Sequence, residues 1–205
     1  MFYGNNRTGS SAIQKYSWSK PPGVSHVYIM LIGCGGNGDG TNLSGGSGSV
    51  TVWYGAAQNI PDALDVWVAN SNGGQTSIFY KSGTIQLLFA NGANSTTGGS
   101  AMTANAFTAS GFFQSVAGAN GVGGSVGPSS TTFLSAGGYN STDDATANYE
   151  YSTGPATATR NGYFMLQPII VGVGGTNTGR GGVGCGGGGS NVSVGGPGMV
   201  LIASW

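Results

Sequence analysis

Gly172 to Gly196 reads GVGGTNTGRGGVGCGGGGSNVSVGG and runs through Pro197 and Gly198 into MVLIASW, Met199 to Trp205. A glycine field that empties into an apolar, strand-forming run is not a free tail, because that run needs partners. A shorter field, Gly33 to Gly48 (GCGGNGDGTNLSGGSG), follows the first strong apolar run in the same way. The 205 residues include 42 glycines, and fixing each in a regular element costs roughly 0.5–1 kcal/mol more than fixing an alanine. Dense backbone hydrogen bonding or subunit contacts must offset that penalty; the alternative is a set of flexible linkers. Fields held between core strands favour order. The expectation is a β-framework joined by packed, glycine-dense backbone.

Working outward, residues 1 to 15 read as a polar arm, and residues 16 to 205 as a single domain. Tyr16 to Trp18 alternates as a short strand, and Lys20-Pro-Pro-Gly23 is a rigid turn. His26 to Gly33 is apolar on both faces, which predicts cover on both sides and points to a second sheet or a subunit. Strands are expected at Ser49 to Tyr54, Ala63 to Ala69 (Leu64, Val66 and Val68 inward), Thr76 to Tyr80 and Thr84 to Ala90. Hairpin turns fall at Asn70 to Gly74 and Lys81 to Gly83. Residues 91 to 162 read as a loop-rich insert with a weak helical period over Ala101 to Phe113. Tyr163 to Val173 is expected as a last inner strand before the main glycine field. Short strands with turn signals and no sustained helical period predict an all-β sandwich.

Charge is scarce, six basic against six acidic residues, so no basic face is available to neutralise phosphates and nucleic acid is excluded as a partner. No apolar run approaches the roughly 20 residues that span a bilayer, and MFYGNNRTGS lacks the apolar core of a secretory signal. Gly33 to Gly38 matches G-x-G-x-x-G after a strand, but the glycine-dense continuation cannot begin the helix that would receive a pyrophosphate. With His26 as the one histidine, neither a four-ligand zinc site nor acid–base catalysis has its parts. No cofactor or metal is expected. Asp143, Asp144 and Glu150 form the one acidic cluster, which reads as a solvated loop, the alternatives being a Ca²⁺-binding loop, for which EF-hand spacing is missing, and half of a glycosidase pair.

Two groups remain as candidate sites. Phe112, Phe113, Tyr139, Tyr149 and Tyr151 form a candidate recognition loop, where aromatics suit contact with a carbohydrate or protein; packing in a subsidiary core or interface is the alternative. Cys34 and Cys185 lie one in each glycine field, either as a disulfide tying the fields or as two small buried thiols.

Three pieces in order resemble a glycine-rich domain of bacteriophage tail-fibre and other virion appendage proteins. They are Trp18-Ser-Lys-Pro-Pro-Gly-Val24 leading into Val27 to Gly36, Ile60 to Val68 followed by Gly73, Gly74 and Thr76 to Ile78, and Gly195 to Trp205. The match covers about residues 16–80 and 165–205. The resemblance implies a jelly-roll or TNF-like sandwich, usually trimeric, with glycine segments as polyglycine II helices, whose unpaired backbone groups bond to neighbouring helices. It also implies a non-enzymatic virion structural protein on the particle surface: a decoration, spike or fibre subunit. Its expected partners are copies of itself, other virion proteins, and a host surface glycan or protein. A cell-surface adhesin or matrix subunit and a glycan-cleaving appendage enzyme are the competing readings.

Overall fold

The computed structural model describes residues 1–4, 13–40, 43–70, 72–81, 84–121, 151–153, 170–172, 181–187 and 194–205, with only the backbone described at 151–153 and 170–172. These residues form eleven strands: β1 (Phe2–Tyr3), β2 (Gln14–Ser19), β3 (His26–Ile32), β4 (Val50–Ala56), β5 (Ala63–Val68), β6 (Thr76–Tyr80), β7 (Gln86–Ala90), β8 (Phe112–Val116), β9 (Tyr151–Thr153), β10 (Ile170–Gly172) and β11 (Met199–Ser204). Two short 3₁₀ turns, Ala57–Asn59 and Thr108–Ser110, are the helical elements among them.

The strands build two antiparallel sheets. One has the order β1-β11-β3-β4-β8 and the other β2-β5-β6-β7, while β9 and β10 pair with each other. Period-two alternation decides which side chains meet. Val27, Ile29, Leu31, Trp53 and Val200 from the five-stranded sheet pack with Leu64, Val66, Val68, Ile78 and Leu88 from the four-stranded one. This is the core of a β-sandwich. Within it the Trp53 ring packs 5.0 Å from Phe107, although its buried indole N–H lacks an acceptor, a cost of about 1–3 kcal/mol.

The opposite parity of the five-stranded sheet is buried too. Tyr28, Met30, Ile32, Val50, Val52, Met199 and Leu201 form a second cluster, with Cys185 and Val183 against it. Both faces of β3 are therefore covered within one chain, as its unbroken apolar run demanded. No second subunit is required for that cover.

The glycine-rich segments all leave the sandwich at the same end. In register Ile32 faces both Val50 and Met199, Val50 faces Val116, and Thr76 faces Ala90, so segments 33–37, 44–49, 91–99, 117–121 and 194–198 begin or finish together, and 181–187 bonds to them. They hydrogen-bond to one another through main chain. The donors of Gly45 and Gly48 go to Gly187 and Gly184, those of Gly46 and Ser49 go to Ser95 and Asn91, and that of Ser47 goes to Ala119. Donors three residues apart thus address the same neighbouring segment. The carbonyls of Gly46 and Ser49 in turn accept from Gly36 and Gly33, and Gly35 donates to Gly196 at 2.8 Å.

Only glycine allows this spacing. A Cβ placed on Gly45 would lie 1.9 Å from the Gly36 carbonyl oxygen, and one on Gly118 would lie 1.8 Å from that of Ser47. Of the glycine fields, 33–37, 44–49, 181–187 and 194–198 are joined by these main-chain bonds; residues 41–42 of the shorter field and 173–180 and 188–193 of the main one lie outside the described residues.

Four expectations change. Within the stretch read as an arm, residues 1–15, Phe2 and Tyr3 pair with β11 and β2 already starts at Gln14, while residues 5–12 lie outside the described residues. The expected insert at 91–162 begins too early. Residues 91–99 and 117–121 belong to the glycine cap, and β8 completes the five-stranded sheet beside β4. The weak helical period over Ala101 to Phe113 yields a single 3₁₀ turn held by Asn105, whose side chain accepts from the Thr108 amide at 3.0 Å. Finally β10, the described part of the stretch read as a last inner strand, pairs with β9 and joins neither main sheet.

Candidate binding surfaces

The end of the sandwich opposite the glycine cap is aromatic. Trp205 follows β11 and exchanges main-chain hydrogen bonds with His26, donating at 3.1 Å and accepting at 3.0 Å. His26, Tyr54 and Trp205 place their rings 5.6 to 6.1 Å apart with planes within 19° of parallel. Trp205 and Phe112 are each nearly half exposed. Ser25 Oγ lies 2.9 Å from His26 Nδ1 and also donates to the Trp205 main-chain oxygen at 3.2 Å. The hydroxyl thus fixes the ring within the stack, a positioning role; no carboxylate completes a catalytic relay here among the described residues. Nearby, Lys20 secures the Lys-Pro-Pro-Gly turn, pairing with Asp62 at 2.8 Å and donating to the Ala57 and Ile60 carbonyls.

The aromatics read from the sequence as one recognition loop are not one loop. Phe112 and Phe113 lie on β8 opposite Tyr54 and Trp53, so alternation sends them to opposite faces. Phe112 joins the exposed end, and Phe113 packs against the sandwich core. Tyr151 opens β9 opposite Gly172. Tyr139 and Tyr149 lie outside the described residues, as do Asp143, Asp144 and Glu150.

Both cysteines are buried and neither forms a disulfide. Cys34 donates to the Gly74 carbonyl oxygen at 3.2 Å, whereas Cys185 belongs to the cluster beyond the five-stranded sheet. The fields are tied by backbone hydrogen bonds instead of a disulfide. Burial pushes the Cys34 thiol up to about 12, which keeps it protonated and unreactive near neutrality. Burial likewise raises the Tyr28 phenol above its ordinary range. Among the described residues no group of three or more His, Cys, Asp or Glu is placed to hold a metal ion.

A second surface was missed by sequence reading. The solvent face of the four-stranded sheet carries Trp67 and Phe79, ring centroids 4.4 Å apart, with the Lys15 ammonium 4.3 Å above the indole. In register Lys15 faces Trp67, Asp65 faces both Ser17 and Phe79, and Phe79 faces Gln86. Beside the rings runs an amide and hydroxyl network. Gln86 Nε2 donates to Ser77 Oγ at 2.7 Å and to Gln75 Oε1, while Gln75 Nε2 donates to Asn91 Oδ1 at 2.8 Å. The signal was available in Ala63 to Val68. If Leu64, Val66 and Val68 point inward, Asp65 and Trp67 must point outward together.

Compared with models of known protein families and with curated proteins, the chain matches none.

Proposed function

We propose that the protein is a non-enzymatic structural protein displayed on the surface of a phage-like virus particle, as a decoration, spike or fibre subunit. The observation that supports this most is the glycine cap. A chain that commits six segments to mutual backbone hydrogen bonding gains a rigid end whose polar groups are paired, and gains no side chains for catalysis. Such backbone suits a component that must persist outside a cell, since few groups are left to hydrate or open. The three-residue spacing of donors toward each neighbour supports polyglycine II segments, which have three residues per turn. In this reading the sandwich is a jelly-roll-like scaffold, and its aromatic end faces away from the cap.

Association into a homo-oligomer, a trimer as the resemblance implies, belongs to the same proposal. It would use exposed aromatics such as Phe112 and Trp205, because both faces of β3 are already covered.

Mass spectrometry of purified particles from the source tests the assignment. The expected result is the protein at a fixed copy number relative to the major shell protein, retained through particle purification. Recovery from the soluble fraction alone, with none in particles, would overturn it.

A further inference from the structure

We infer that the solvent face of the four-stranded sheet is a binding site for a neutral saccharide chain, with Trp67 as its stacking platform. Sugar rings present C–H groups on one face and hydroxyls around the rim, so a site needs a flat aromatic surface bordered by fixed donors and acceptors. Phe79 packs beside Trp67 with its plane tilted 45° to the indole, so the indole alone is the flat platform. Along its border, Gln86 is held in one orientation by its bonds to Gln75 and Ser77. Both of those bonds use its nitrogen, which leaves the carboxamide oxygen available as an acceptor. Asp65 and Ser17, 3.5 Å apart, supply polar atoms on the opposite border. A network already ordered in the free protein loses little entropy when a ligand arrives.

Charge identifies the ligand class. Lys15 and Asp65 balance each other on this face, and the other groups named are uncharged, so an acidic polysaccharide gains nothing net. Lys15 covers the indole in the free protein. An exposed cation–π contact is weak, so an arriving sugar ring displaces the ammonium into solvent. The site belongs to the sandwich alone and does not depend on the particle assignment.

Affinity electrophoresis of the purified full chain through gels containing glucan, mannan or galactan tests this, with polygalacturonate as the acidic comparison. At least one neutral polymer should retard the protein. Trp67→Ala should weaken that binding at least about tenfold, and Lys15→Ala should leave it unchanged or tighter. Independently of any variant, the Trp67 indole N–H resonance should shift when the retarding polymer is added, while that of buried Trp53 stays put. Absence of retardation by all three neutral polymers overturns the proposal. So does a Trp67 resonance that never moves, full binding by Trp67→Ala, or retardation by polygalacturonate alone that Lys15→Ala abolishes.

Discussion

Alanine at Gly45 or Gly118 destabilises the fold by about 3 kcal/mol or more, at the upper end of what overpacking costs. The added methyl at either position falls within 1.9 Å of a backbone carbonyl oxygen, about half an ordinary carbon–oxygen contact. No rotamer change relieves it, because the obstacle is main chain belonging to another segment of the cap. Relief requires two hydrogen-bonded segments to separate, and their bonds at 2.8–2.9 Å are lost with them. For a chain of this size the unfolding midpoint should fall by roughly 6–12 °C. Gly23 is the control. Its φ of +80° favours glycine, but a Cβ there meets nothing within 4 Å, so Gly23→Ala should cost only about 1–2 kcal/mol. Thermal unfolding followed by circular dichroism separates the two cases. Equal, small effects at all three positions would mean that the cap is loosely packed.

The second large effect concerns β3. Leu31 points into the sandwich and Met30 into the cluster on the far side, and both are fully buried. Met30→Ala and Leu31→Ala should therefore cost similar amounts, about 2–5 kcal/mol each, from lost burial and the cavity left behind. Because the same chain covers both faces, the cost of Met30→Ala should be the same at concentrations where subunits are apart as where they are associated. A far face sealed by a neighbouring subunit would behave differently. Met30→Ala would then lose its cost at concentrations where the subunits are already apart, because association alone would supply the cover.

Much of the sandwich was legible because period-two alternation and two-faced apolar runs report burial directly. The run His26 to Gly33 announced a strand covered on both sides. Leu64, Val66 and Val68 announced a half-buried one, and Asn70 to Gly74 marked the turn at which β5 gives way to its partner β6. What failed did so for physical reasons. β8 was hidden because Phe112 to Val116 alternates weakly and is held by pairing with β4, a contact between residues some sixty positions apart. The arm was misjudged because two residues, Phe2 and Tyr3, suffice to add an edge to β11. The role of 91–99 was invisible for a related reason. Asn-Gly-Ala-Asn-Ser-Thr-Thr-Gly-Gly has the composition of a loop, and its backbone groups become structural only when other glycine segments approach. Outward-pointing Trp67 and Phe79 were passed over because inward positions drew the reading toward the core.

The central claim is that glycine-dense connections form ordered backbone at one end of a β-sandwich. Native-state hydrogen exchange, read amide by amide, tests it most directly. The account predicts that the amides of Gly45, Gly46, Gly48, Gly184 and Gly196 exchange within about tenfold of those in β3, through the same global opening. Exchange of these amides within seconds, while β3 stays protected, would contradict it.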